Sequence, residues 1–198
     1  TPNGMPGSNR ISLALKYTET APARELIQRR AETRTFRIPP GAPHQRSQAV
    51  VPVERDMLLH AMIPHMHLRG KDCTVFAELP GDRTETLLMV PRYDFNWQTL
   101  YTLTEPVPLP AGSRLRGVVH WDNSTANARN PDAGKSVTYG QQSTDEMMGV
   151  GLYLSIPWSD TRQGTSVAGA MGSATAEALA QALAAADENP EDADAQRN

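Results

Sequence analysis

The 198-residue chain has little cysteine, few aromatic residues and no long apolar run. A single cysteine, Cys73, excludes an intrachain disulfide and a multi-cysteine metal site. No stretch of about 18 apolar residues occurs, so no segment is expected to span a membrane. Basic residues are not in excess, with 19 Lys and Arg against 22 Asp and Glu and a net charge of −3. Nucleic acid is therefore not expected as a partner, because phosphate contacts need clustered Lys and Arg.

Histidine and methionine are the potential metal ligands that this chain contains in number. It has five His and eight Met, both residue types bind metals, and the Met thioether is a soft ligand. The hydrophobic share of 39% and the charged share of 21% are typical of a globular domain. Residue 1 is Thr and the N-terminus has no signal-peptide pattern, so we expect a processed chain or a fragment.

From residue 33 onward, short apolar or alternating segments separated by turns predict an all-β domain. Pro39-Pro40-Gly41 and Leu109-Pro110-Ala111-Gly112 are typical turn sequences. The pattern favours an antiparallel, jelly-roll-like β-sandwich. The polar segment 122–140 is expected to be a long loop. The predicted strands cover residues 33–38, 48–53, 57–67, 73–79, 84–90, 96–103, 114–121, 136–139 and 146–156.

The chain before this domain divides into two pieces. Residues 11–17 alternate apolar and polar side chains and predict a strand. Residues 18–32 are polar and locally basic, with Arg24 and Arg29, and are expected to be a solvated connector in which residues 21–31 could form a short helix. An acidic protein or membrane partner is the alternative for this basic stretch.

The chain after the domain changes in composition. Residues 158–172 form a linker rich in Gly, Ser and Thr. Residues 173–187 are Ala-rich, with Leu179 and Leu183 four apart, and predict a helix with a narrow apolar stripe. Residues 188–198 are acidic and are expected to be disordered. Such a helix buries little by itself, so it either docks on a partner or is marginally stable.

The pair His65 and His67 is the strongest candidate for chemistry. Side chains two apart in a strand project to one face, about 6.5–7 Å apart, so both imidazoles could bind one metal. The alternative is a pair of histidines on a solvated face. A third ligand could come from Met147, because a thioether beside two imidazoles favours Cu(I) over Zn(II). Alternation lets only one of Met147 and Met148 face the site, and ordinary core packing is the alternative for either.

Five sequence strings, in this order, resemble the C-terminal domain of type II copper, ascorbate-dependent monooxygenases. That family includes peptidylglycine α-hydroxylating monooxygenase and dopamine β-monooxygenase, and the bacterial relatives are the more similar. The resemblance covers residues 33–157. The strings are His65-Met-His67-Leu-Arg-Gly-Lys, Tyr93-Asp-Phe-Asn-Trp-Gln, Leu109-Pro-Ala-Gly, His120-Trp-Asp-Asn-Ser and Thr144-Asp-Glu-Met147.

The resemblance implies a jelly-roll sandwich that holds one copper through His65, His67 and Met147. It implies O₂-dependent hydroxylation of a C–H bond in a small molecule or peptide, with an external reductant. His120 is a candidate second-shell partner of this copper, with a purely structural role as the alternative. A periplasmic or extracellular location is also implied, because copper chemistry of this family is exported.

Two departures from the family pattern leave other functions open. The animal enzymes have a disulfide-bonded Cys directly after the ligand Met, and Met148 takes that position in this chain. The family's second copper, on a preceding domain, would lie before residue 1, and residues 1–17 resemble the end of that domain. The alternatives are a non-catalytic structural or interaction subunit, bound to a protein partner through residues 1–17 and the C-terminal helix, or a copper-carrying module.

Overall fold

A computed structural model describes residues 10–17 and 19–158 of the chain. All regular secondary structure in these residues is β, which confirms the all-β prediction. No helix among them is long and apolar enough to cross a bilayer. The predicted linker beyond residue 158, the helix 173–187 and the acidic tail 188–198 lie outside the described residues. The strands are β1 (Arg24–Thr33), β2 (Gln45–Pro52), β3 (Met57–His65), β4 (Gly70–Leu79), β5 (Arg83–Val90), β6 (Tyr101–Leu109), β7 (Arg114–Trp121) and β8 (Met148–Pro157).

The eight strands form two four-stranded antiparallel sheets that make a β-sandwich. One sheet, called sheet I, has the order β1-β8-β3-β6, and the other, sheet II, has the order β2-β7-β4-β5. Chain neighbours such as β1 and β2 therefore lie in different sheets. The central strands β8 and β7 are the most completely buried, as expected for strands with a neighbour on each side.

The core lies between the two sheets. Leu115, Val119 and Trp121 of β7 are fully buried, and so are Val150 and Leu152 of β8. The sheets pack closely at Gly117, where a Cβ would come within 2.9 Å of Val150 Cγ2. Even-numbered residues of β8 and odd-numbered residues of β7 therefore face inward, and the intervening residues face outward.

Cys73 also lies in this core, and its side chain is fully buried. Burial raises the pKa of the Cys73 thiol to about 12, which keeps it protonated at neutral pH. This cysteine is therefore a packing residue of β4.

Strand β1 corrects the prediction for residues 18–32. These residues contain most of a ten-residue strand that pairs with β8 from Arg24↔Pro157 to Thr33↔Met148, so the predicted solvated connector and short helix are wrong. The strand lies at the edge of sheet I and exposes half of its side chains, so its sequence is polar like a connector. The sandwich accordingly begins at Arg24.

Two other strand predictions fail for related reasons. Residues 11–17 form no strand, and alternation without a partner strand does not suffice. The predicted strand 96–103 overlaps the structure only from Tyr101, and β6 continues to Leu109 through Pro106 and Pro108. An edge strand tolerates proline, because one side of its backbone makes no ladder hydrogen bonds.

A long connection links β7 to β8, and it contains the polar segment 122–140 that was expected to be a loop. The predicted strands 33–38, after β1, and 136–139, in this connection, reduce to an isolated bridge between Ile38 and Val137. A second bridge joins Tyr139 to Glu146 and brings the end of the loop back to the edge of the sandwich. This places residues 144–147 beside the end of β3.

Candidate metal centre

The two candidate histidines and the candidate methionine meet at one end of sheet I. His65 is the last residue of β3 and pairs with Gly149 of β8. Glu146 Oε2 accepts the backbone N–H of both His67 and Met147, which brings these two residues close together. Met66, between the histidines, is fully buried in the core.

The tautomer of His65 follows from its hydrogen bonds. Gln98 donates from Nε2 to the carbonyl of Phe95 over 2.9 Å, which fixes Gln98 Oε1 as an acceptor. His65 Nδ1 lies 2.6 Å from that oxygen and must therefore donate its proton to it. The lone pair of His65 is then on Nε2, which is the arrangement expected of a metal-binding imidazole.

His67 has hydrogen-bond partners in the loop that precedes Met147. Its Nδ1 lies 3.3 Å from the carbonyl oxygen of Asp145, and the backbone of Gln142 is a further hydrogen-bond partner of the ring. The side chain is 4% exposed. Burial lowers the pKa of His67 below its usual 6.5, so the ring is neutral at neutral pH. The His65 and His67 rings lie 5.2 Å apart, edge to face.

Glu146 joins the two segments that carry the candidate ligands. Its Oε2 accepts the backbone N–H of His67 at 2.8 Å and that of Met147 at 3.2 Å, and its Oε1 accepts the N–H of Arg69 at 2.7 Å. The side chain is completely buried, and burial raises its pKa to about 7. Sequence reasoning missed this residue, although it lies within the Thr144-Asp-Glu-Met147 string.

Arg69 forms a second link between the same segments. Its side chain is 2% exposed, donates from Nε to Asn123 Oδ1 at 2.8 Å, and donates from a terminal nitrogen to the carbonyl of Thr144 at 2.8 Å. Asn123 in turn donates to the carbonyls of Pro39 and Lys135. The loop that precedes Met147 is therefore anchored to the turn that follows His67.

Tyr93 fixes the chain between the two histidines. Its hydroxyl accepts the N–H of Met66 at 3.0 Å and donates to the carbonyl of Met66 at 2.7 Å. The ring packs so closely on Gly70 that a Cβ there would come within 2.5 Å of it. The string that begins at Tyr93 therefore contacts the histidine pair twice. Tyr93 bonds to the backbone of Met66, between the two histidines, and Gln98 bonds to the ring of His65.

Met147 is half-buried and lies with His65 in the wall of one surface cavity of about 300 Å³. Arg30, Glu32 and Tyr139 line the same cavity. The described residues thus place His65 and Met147 in one cavity wall, with the His67 ring beside that of His65. The set can offer a metal two nitrogen ligands and one thioether.

His120 does not join this cluster. It lies in β7 on the outer face of sheet II, three residues after the inward-facing Gly117, whereas His65 lies in sheet I. Its Nδ1 bonds to Asp72 Oδ1 at 2.6 Å, and its ring stacks on His44. The contacts of His120 are thus with Asp72 and His44, and its second-shell role at the copper stays a prediction.

No protein-family model matches the chain, and no curated protein does so either. Similar solved structures include the VP2 subviral particle of infectious bursal disease virus, with a TM-score of 0.37, 11% identity, and coverage of 68% of this chain and 33% of that one. Another is a family 35 carbohydrate binding module from an environmental isolate, with a TM-score of 0.28, 14% identity, and coverage of 60% and 74%. The chain spans about a third of the viral protein. Similarity this low carries no functional argument.

Proposed function

We propose that the chain is the copper-binding domain of an O₂-dependent monooxygenase of the ascorbate-dependent class, with copper held by His65, His67 and Met147. One observation carries the proposal: each imidazole has its Nδ1 within hydrogen-bond distance of an acceptor oxygen, Gln98 Oε1 for His65 and the Asp145 carbonyl for His67. Histidines that bind metals are oriented in this way, by a hydrogen bond from the other ring nitrogen.

The donor set fits copper better than other metals. Two neutral imidazoles and a thioether carry no charge and are soft, and this combination suits Cu(I). The three ligands come from two segments that Glu146 holds together, so the set is preorganised. When bound, copper would supply the redox chemistry that activates O₂ for C–H hydroxylation.

The strand orders support the jelly-roll assignment within this proposal. Eight antiparallel strands in two four-stranded sheets, with all chain neighbours except β4 and β5 in opposite sheets, are typical of jelly rolls. In this arrangement β8 and β3 are adjacent, which brings residues near the end of β3 beside residues near the start of β8. The topology thus accounts for ligands that are about 80 residues apart in sequence.

The substrate would be a small molecule or part of a peptide, bound beside His65. A cavity of about 230 Å³ adjoins Gln98 and is lined by Trp97 and Tyr101, with Arg92 at its wall. The aromatic rings would pack against an apolar group, and Arg92 could pair with an anionic one. An external reductant and a periplasmic or extracellular location complete the proposal.

Copper binding tests the proposal directly. We expect the anaerobic protein to bind one Cu(I) per chain in competition with a chromophoric chelator. The substitutions His65→Ala, His67→Ala and Met147→Leu should each weaken binding roughly tenfold or more. His60→Gln and Met89→Leu are matched controls, because His60 bonds to Ser155 elsewhere on β3 and Met89 is exposed on β5. Equal Cu(I) binding by the wild type and the His65 and His67 variants would refute the copper site.

Catalysis is tested separately from binding. Copper-loaded protein should consume O₂ in the presence of ascorbate and a glycine-extended peptide or a phenethylamine, and His67→Ala should not. A protein that holds copper at His65 and His67 without turnover would instead be a copper carrier.

An interaction subunit is a second candidate, favoured by the segment 11–17. Its side chains Ile11, Leu13, Leu15 and Tyr17 are 63–85% exposed and alternate with polar residues. Such a segment would bury its apolar side as an added strand on a partner protein. Substituting these four residues by Ser should abolish co-purification with a larger assembly, whereas substituting the intervening polar residues by Ala should not.

A further inference from the structure

The outer face of sheet II carries a cluster of two imidazoles and a carboxylate. His120 lies in β7, Asp72 lies opposite it in β4, and His44 directly precedes β2. One potential ligand atom from each of the three residues lies within 4.8 Å of the others. The cluster shares no residue with the candidate copper centre and lies on the other side of the sandwich. Its function is therefore a separate question from the copper proposal.

The pair Asp72 and His120 is positioned by the sheet. The carboxylate Oδ1 of Asp72 lies 2.6 Å from His120 Nδ1, and both side chains are half-buried. A carboxylate orients an imidazole by accepting its Nδ1–H, which leaves the Nε2 lone pair for a metal. The second oxygen of Asp72 offers a ligand of its own.

His44 completes the cluster from the other side of β7. Its ring stacks on the His120 ring at a centroid distance of 3.9 Å, with 12° between the planes. His44 is exposed and lies outside the strand, so its side chain can turn without disturbing the sheet.

We propose that His44, Asp72 and His120 bind a divalent transition metal of the zinc type. Imidazole nitrogen and carboxylate oxygen are typical ligands of Zn²⁺, at about 2.0–2.2 Å. The absence of a thioether or thiolate from these three residues makes the set harder than the His65, His67 and Met147 set, and it carries one negative charge. Three protein ligands leave a fourth position for water or an anion.

Binding requires one movement, which the structure permits. In the stacked arrangement the two ring planes are nearly parallel, so their lone pairs do not converge on one point. A rotation of the His44 side chain turns its nitrogen toward the metal. Neighbouring cations are engaged elsewhere, because Arg46 donates to Gln48 Oε1 and Lys71 donates to the carbonyl of Pro43.

Zinc titration of the full chain tests this site. A His65→Ala/His67→Ala background removes the candidate copper ligands, and the metal-free protein is titrated with Zn²⁺ by calorimetry at pH 7.5. We expect one Zn²⁺ per chain. Adding His44→Ala should weaken binding roughly tenfold or more, and Asp72→Asn should do the same. His60→Gln is the control and should leave Zn²⁺ binding unchanged.

Cobalt provides a second measurement that does not depend on affinity alone. Co²⁺ bound in a four-coordinate site by these residues should give visible d–d absorption, and His44→Ala should remove it. Because His44 is exposed, this variant should fold with an unchanged melting temperature, which separates loss of a ligand from loss of structure. Zn²⁺ binding that is equal with and without His44, or no saturable binding at all, would overturn the proposal.

Discussion

Glu146 Oε2 accepts the backbone N–H of His67 over 2.8 Å inside the protein, although the two residues are 79 apart in sequence. The same oxygen accepts the N–H of Met147, which is a candidate ligand itself. One carboxyl group therefore sets the separation between the two segments that carry the candidate metal ligands. The position of those ligands depends on a buried acid as much as on the strand register.

Replacing Glu146 by Ala should destabilise the protein severely. The change leaves three backbone N–H groups without their acceptor and removes the acidic group that interacts most strongly with the charge of the buried Arg69. We expect a loss of about 3 kcal/mol or more in the free energy of unfolding, measured by urea denaturation. Glu105→Ala, on the exposed part of the edge strand β6, should stay within about 0.5 kcal/mol of the wild type. A comparable loss in both variants would contradict the role of Glu146.

Glu146 should also make stability depend on pH. Burial raises its pKa in the folded protein to about 7, above the usual 4.5, so folding favours the protonated form. The contribution to stability is then complete below pH 4.5 and is lost as the pH rises through 7. Relative to Glu146→Gln, which cannot titrate, the wild type should lose up to about 3 kcal/mol between pH 4.5 and 8. Parallel stability curves for the two proteins would show that Glu146 does not titrate in this range.

His67 contributes with the opposite sign, which is why the comparison with Glu146→Gln is needed. Burial lowers its pKa below 6.5 in the folded protein. Its contribution to stability is present above pH 6.5 and is lost as the pH falls through the lowered pKa. Both proteins share this contribution, so it cancels in the difference between their curves.

The sequence predicts the inner strands of the fold better than its edges. Buried strands such as β7, found at residues 114–121 as expected, have apolar runs because both neighbours and the facing sheet cover them. The edge strand β1 exposes Arg29 and Arg30 and looks like a connector. The segment 11–17 shows the converse error, because an alternating pattern describes what a strand would bury and not whether a partner exists.

For the candidate site, the sequence predicts the ligand residues but not what holds them. His65 and His67 are two apart, so one strand face accounts for both. Met147 is brought to them by pairing of β3 with β8, which local pattern cannot reveal. Glu146 was missed because an acidic residue before an apolar strand usually indicates a solvated loop end, and its burial depends on tertiary contacts.

Gln98 offers a test of the orientation of His65. Gln98→Ala removes the acceptor of the His65 Nδ1–H, so the ring loses its fixed tautomer and orientation. We expect Cu(I) affinity to fall about 10- to 100-fold with little change in stability. Gln98→Glu keeps an acceptor oxygen and should retain the affinity, and Asn96→Ala, in the same exposed loop, should have no effect. Equal affinity in Gln98→Ala and the wild type would show that this hydrogen bond does not prepare His65 for a metal.

A substitution at Gly70 tests whether Tyr93 holds the backbone between His65 and His67 in position. A Cβ at Gly70 would lie 2.5 Å from the Tyr93 ring and 2.8 Å from Met66 Cβ, closer than packed atoms can approach. Gly70→Ala should therefore displace Tyr93, whose hydroxyl makes both backbone hydrogen bonds to Met66. We expect a loss of about 1–3 kcal/mol in the free energy of unfolding, together with weaker Cu(I) binding, because Met66 lies between His65 and His67.

Gly149→Ala is the matched control for Gly70→Ala, since a Cβ at Gly149 would meet only ordinary contacts at 3.9 Å. It lies opposite His65 on the same sheet, so it also tests whether any added methyl group near the site is harmful. If Gly149→Ala weakens Cu(I) binding as much as Gly70→Ala does, the effect reflects crowding of the site. If only Gly70→Ala weakens it, the hydrogen bonds of Tyr93 to Met66 are what hold the two histidines in position.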